Sequence, residues 1–146
     1  MTDKKKIVDL WGNLITEPVK RTPLTILKEQ GSLLERKTKG ILTVKVVSDK
    51  SVGGFSFPNL FTNADLPDNK QLRHLFYIES PNLNYTYHLF TVLHPIDLFP
   101  TVFYTSEGDN QIANNEEEFL AVLSDILQSS KTQKVIHSLL SQNIAA

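Results

Sequence analysis

Apolar residues recur along this chain with several different periods, and each change of period marks an element. From Ile7 to Ile15 the residues Ile7, Val8, Leu10, Trp11, Leu14 and Ile15 share one side of a helical projection, with Asp9 and Asn13 opposite. That pattern predicts an amphipathic first helix ending at Glu17-Pro18, because the residue before a proline is pushed out of the α region. A second helix is predicted from Thr22 to Lys39. Thr22 is an N-cap residue, Pro23 suits the first helical position, and Gly40 follows as a stop. Leu24, Leu27, Gly31, Leu34 and Thr38 form its inner stripe, widened by Ile26 and Leu33. A glycine on that stripe costs about 1 kcal/mol in helix propensity relative to alanine, which implies that another backbone comes close there.

The period then shortens. Ile41 to Val47 is continuous and β-branched, as in a well-buried strand, and Ser48 to Ser51 with Gly53-Gly54 reads as its turn. Phe55-Ser56-Phe57 alternates like a returning strand, and residues 59–71 are the longest irregular stretch. Three more strands follow at Arg73 to Glu79, Tyr85 to His94 and Leu98 to Thr105, with connections short enough for antiparallel neighbours. Strict alternation in the middle one puts Tyr85, Tyr87, Leu89, Thr91 and Leu93 on one face and Thr86, His88, Phe90, Val92 and His94 on the other. Both faces carry apolar or aromatic groups, so one should meet the helices and the other a further layer or a partner.

Helical spacing returns after Asn115, where Glu118 stands at the capping-box position and Phe119, Leu120, Val122, Leu123, Ile126 and Leu127 share an arc. Ser130 with Gln133 reads as the cap of a last helix striped by Val135, Ile136, Leu139 and Leu140. The predicted fold is therefore α+β: an antiparallel meander sheet of four or five strands, covered by the Thr22–Lys39 helix and a C-terminal helical hairpin. Residues 1–18 form an N-terminal amphipathic helix or extension, and 19–146 a single domain.

Composition narrows the chemistry. With 146 residues, 40% apolar and 21% charged, the chain suits one self-sufficient domain, and it has no stretch near twenty apolar residues that would span a membrane. No secretory signal is visible, so the expected location is cytoplasmic. The absence of cysteine removes disulfides, thiolate metal sites and thiol nucleophiles. The net charge of −1 hides a split, with eleven Lys/Arg against six Asp/Glu in residues 1–50 and four against ten in the remainder. A basic N-terminal third including Lys4–Lys6, Lys20 and Arg21 is the main route to nucleic acid, and the acidic remainder opposes it.

Four histidines are the candidates for a metal or a general base. On an unbroken strand His88 and His94 share a face yet stand about 20 Å apart, too far to chelate one ion. His74 could approach one of them across the ladder, with Asp97 as a third group, while His137 falls outside the apolar stripe of its helix. No Gly-x-Ser-x-Gly elbow, Ser-x-x-Lys or phosphate-binding glycine loop occurs. The reading that follows is a non-enzymatic protein-interaction module, adaptor-, antitoxin- or immunity-like, with a protein partner or a second copy of itself and no cofactor or metal. Its candidate binding residues are Trp11, Tyr77, Tyr85, Tyr87, His88 and His94. The alternatives are a small-ligand site or hydrolase using His88 or His94 with Tyr77, Tyr87 or Asp97, and nucleic-acid binding through the basic N-terminal third, Lys4–Lys6, Lys20 and Arg21, with Tyr77, Tyr85 and Tyr87 as a stacking platform on the sheet.

The strings Thr22 to Gln30, Tyr85 to Pro100 and Lys131 to Ile136 resemble those of short bacterial proteins of uncharacterised function. The likeness runs from residue 22 to about 140. It implies a bacterial cytoplasmic protein and carries no activity, cofactor or site residue.

Overall fold

The computed structural model describes residues 7–12, 21–50, 71–106, 108 and 110–145. Its elements run α1 (Pro23–Lys37), β1 (Thr43–Lys50), β2 (Leu72–Ser80), β3 (Tyr85–His94), β4 (Thr101–Thr105), β5 (Asn110–Ala113), α2 (Glu116–Leu127) and α3 (Ser130–Ala145). The five strands form one antiparallel sheet in the order β1-β2-β3-β4-β5. The α+β meander predicted above is thus the fold, with all three helices packed on one sheet face through a shared core of Ile26, Leu27, Phe76, Phe90, Phe103, Phe119, Leu123 and Leu139.

The ends of α1 are made as their residues require. Thr22 is extended and its hydroxyl accepts from the Thr25 N–H, while Gly40 takes φ +84 just past the helix and its N–H closes on Glu35 O at 2.8 Å. At Gly31 the helix lies close on the sheet: a Cβ there would stand 2.7 Å from Val44 Cγ1. The close neighbour is a β1 side chain, not the backbone expected from the sequence. At α2, Asn115 accepts from the Glu118 N–H at 2.8 Å, and Glu118 reaches back to the N–H of Asn114, one residue before the cap. The cap of α3 is Ser129, whose hydroxyl accepts from the Thr132 N–H, not Ser130 as predicted.

Three expectations need correction. Residues 7–12 are not helical: Asp9 accepts the Trp11 N–H at 2.9 Å and Gly12 has φ +66, so a local side-chain turn replaces the helix. The rest of that predicted helix lies outside the described residues, as do the glycine turn at Gly53-Gly54 and the Phe55–Phe57 strand. Second, β1 is half-buried at the edge of the sheet, not well buried, and runs on through Ser48 and Asp49 where a turn was expected. Val44 and Val46 face the core, and exposed Lys45 charges an edge that would otherwise pair with another strand. Third, the Leu98–Thr105 strand begins only at Thr101, and Asn110–Ala113 supplies a fifth strand that four weakly alternating residues did not announce.

The largest departure is a bulge in β3. Phe76 pairs with Phe90, but the next residue of β2, Tyr77, pairs with His88, so Leu89 is the extra residue. Alternation is therefore reset at Leu89. Leu89, Phe90 and Val92 are all buried on the helix side, and Tyr87 packs against the same core. His88 turns to the opposite face.

Candidate functional site

The bulge decides which chemistry each sheet face presents. On the face away from the helices, register brings together Val47, Leu75, Thr91, Leu93, Val102, Tyr104 and Ile112 from all five strands. Val47, Leu75, Leu93 and Val102 take no part in the core, and Ile112 is 58% exposed. Among the described residues no helix packs on this surface. Its polar border carries Asp49 and Arg73, joined in a bidentate pair at 2.8 and 3.0 Å, and the Tyr77 and His88 rings with centroids 5.2 Å apart. His88 Nε2 lies 2.7 Å from Thr91 Oγ1, a contact across three residues that the bulge brings onto one face.

The predicted site residues are consequently dispersed. Tyr77 and His88 belong to the open face, whereas Tyr87 packs against the core on the helix side and Tyr85, which pairs with Ser80, stands at the far end of the strand. The three tyrosines do not form one stacking platform. Trp11 is 72% exposed, and its backbone N–H donates to Asp9 of its own turn. Asp97 is exposed in the turn after Pro95, and His137 is exposed on α3 as expected. Arg21 is engaged by Glu29 of α1 and by Glu116 at 3.3 Å, so its charge is shared with two carboxylates. Lys4–Lys6 and Lys20 lie outside the described residues.

His94 and His74 come together on the helix side. His74 pairs with Val92 and Leu72 with His94, which makes the two histidines diagonal neighbours, and their Nε2 atoms are 2.9 Å apart. They are 4% and 2% exposed. Ser48 of β1, directly across from His74, places its Oγ 2.7 Å from His74 Nδ1, and His94 Nδ1 lies 2.8 Å from Pro95 O. Burial first, then the neighbouring His94 and the Lys28 ammonium, push His74 down to about 4, with Asp49 opposing. Burial also lowers His94, against the Pro95 carbonyl.

With both rings neutral, one end fixes every proton. Pro95 O only accepts, so His94 carries its proton on Nδ1 and offers a bare Nε2. His74 must then donate from Nε2, its Nδ1 is bare, and Ser48 donates to it. Ser48 was not singled out in the sequence, because the contact joins residues 26 apart through strand register alone. Among the described residues no cluster of three metal-ligating side chains occurs.

A cavity of about 480 Å³ lies between α1 and the C-terminal helices, floored by Phe76 and Ile78 and walled by Leu34, Leu123, Leu127 and Ile136. Its buried polar residue, Thr132, is already committed, since the hydroxyl donates to Ile126 O at 2.7 Å. The apolar walls therefore offer a ligand space without a buried polar group to orient it.

The fold and these surfaces define a small α+β protein with one sheet face covered by helices and one that no described helix covers. Comparison with protein-family models, with curated proteins and with solved structures finds no match. No described helix is long and apolar enough to cross a membrane.

Proposed function

We propose that this chain is a protein-interaction module, adaptor-, antitoxin- or immunity-like in kind, and that the open sheet face is its contact surface, used first to pair two copies. The observation that carries this reading is the patch of Val47, Leu75, Leu93, Val102 and Ile112, with Thr91 and Tyr104 among them, which two adjacent register rows gather on one sheet face outside the core. Single exposed apolar residues mean little, but a contiguous patch backed by a rigid sheet is what association surfaces use.

Size supports a second copy as occupant. Five strands about 4.8 Å apart, averaging roughly seven residues at ~3.3 Å each, present on the order of 600 Å² in projection. A standard interface buries about 800 Å² of accessible surface per partner, so the face is of the right order for a modest symmetric dimer. Two sheets stacked this way would interdigitate Leu75, Leu93 and Val102 at the centre and leave the Asp49–Arg73 pair at the rim. For the small-ligand reading, both ring nitrogens of His94 are already engaged, by Pro95 and His74, and so is His88 Nε2, by Thr91.

Light scattering across a concentration series tests the proposal. The wild-type chain is expected to dimerise at micromolar to tens of micromolar concentration. Ile112→Glu, at a site exposed enough to leave the monomer folded, should weaken association at least tenfold. A wild-type chain that stays monomeric at 100 µM and above would sink the reading.

A further inference from the structure

The helix side of the sheet carries an arrangement that goes beyond association: a serine hydroxyl aimed at an imidazole that a second imidazole holds in place. We propose that Ser48 is a nucleophile for acyl transfer from small carboxylic esters, with His74 as its base and His94 as the residue that positions that base.

The geometry meets the first requirement of such a site, a nucleophile within hydrogen-bond reach of a base whose far side is fixed by a third group. Ser48 Oγ to His74 Nδ1 is 2.7 Å, His74 Nε2 to His94 Nε2 is 2.9 Å, and His94 Nδ1 to Pro95 O is 2.8 Å. The proton order set by Pro95 makes Ser48 the donor, so the Nδ1 lone pair of His74 already faces the proton it has to accept. Access is provided by position. Ser48 is exposed on β1, an edge strand, while the two histidines behind it are buried. Edge strands also carry backbone N–H groups on their outer side, the kind of donor that stabilises a developing oxyanion.

In the reaction, Ser48 Oγ attacks the ester carbonyl carbon as its proton passes to His74 Nδ1. The tetrahedral adduct collapses, the C–O bond to the leaving alcohol breaks, and His74 returns the proton to the departing oxygen. Water then attacks the acyl-Ser48 ester with His74 again taking the proton, which releases the carboxylic acid and restores the hydroxyl. His94 does not touch the substrate. It accepts from His74 Nε2–H throughout, so the transient imidazolium keeps its orientation and a partner. A base as weak as a buried imidazole makes the first step slow, so acylation by a reactive probe is the sensitive readout.

The test uses the full chain, a fluorophosphonate probe and p-nitrophenyl acetate, read by intact mass and peptide mapping. Ser48 is expected to be labelled at least tenfold faster in the native chain than in urea, and at least tenfold faster than exposed Ser124 or Ser138. Ser48→Ala should abolish the adduct, and His74→Asn should slow it about a hundredfold. His94→Ala should slow labelling and move its pH midpoint upward, since the neighbouring ring that disfavours charge on His74 is gone while Asp49 remains and Lys28 is unchanged. A purely structural His94 would alter the amount of folded chain without moving that midpoint. If His74→Asn fails to fold, the native-to-urea ratio of the wild type decides. Labelling of Ser48 no faster than in urea, or labelling that persists in folded His74→Asn, overturns the proposal.

Discussion

Lowering the pH should destabilise this protein through His74 before the Asp49–Arg73 pair is lost. In the native state burial, the His94 ring and Lys28 hold His74 at about 4, whereas an unfolded histidine titrates near 6.5. Above 6.5 the ring is neutral in both states and its stability contribution is complete. Between about 6.5 and 4 the unfolded chain binds a proton that the native chain refuses, so stability falls as pH falls. The span of roughly 2.5 units at 1.36 kcal/mol each gives a loss of about 3 kcal/mol by pH 4, and His94, lowered by burial too, adds in the same direction. Asp49, held below its ordinary value by Arg73, loses its contribution only below this window. Against a typical total of 5–15 kcal/mol, a loss of ~3 is large, equivalent to about 6–12 °C in Tm for a chain of this size. Urea unfolding at pH 7.5, 6.5, 5.5 and 4.5 measures it, with His74→Phe as the control whose curve should be flatter. A wild-type midpoint constant from pH 7.5 to 4.5 would refute the argument that the pair is buried neutral.

Packing gives two further outcomes. Gly31→Ala should lose on the order of 1 kcal/mol despite a propensity gain of about 1, because the new Cβ meets Val44 at 2.7–2.8 Å and overpacking costs about 1–3; Val44→Gly, which removes both the Cγ1 and the Cβ it meets, should relieve it, giving a coupling of at least ~1 kcal/mol in a urea double-mutant cycle. Asn115→Ala should cost about 1 kcal/mol by thermal unfolding, through the orphaned Glu118 N–H at the start of α2, and Asn115→Gly only a few tenths.

What the sequence made legible follows from how local the signals are. Thr22, Pro23 and Gly40 mark α1 because caps depend on a few adjacent residues, and β3 begins at Tyr85 and ends at His94 as its apolar run and flanking Asn84 and Pro95 predict. The C-terminal hairpin is legible for the same reason, with one cap displaced from Ser130 to Ser129. The β3 bulge is not local. Nothing between Tyr87 and Phe90 announces it, and it exists because of the partner strand: with strict alternation from His94, His88 and Thr86 would lie under the helices and Leu89 in the open. Inserting one residue puts Leu89 and Phe90 both into the core and turns His88 out. The estimate of the His88 to His94 separation therefore rested on a shared face that the bulge abolishes. The His74 to His94 approach was legible as a cross-ladder pairing, but its third member was not, since Ser48 was read as a turn residue and lies in β1.

The same three side chains make stability and reactivity respond to different pH ranges, which gives a check on both arguments at once. Stability is governed by the unfolded histidine near 6.5, the Ser48 to His74 hydrogen bond by the native one at about 4. Between pH 7 and 5 the urea midpoint should therefore decline while the labelling rate of Ser48, referred to folded molecules and to probe reactivity, stays level. That separation arises only if His74 remains neutral in the native state across the interval. Should both quantities fall together with a midpoint near 6, His74 would be titrating as an open imidazole does. The desolvation argument would then fail, and with it the one-way proton order that makes Ser48 a donor.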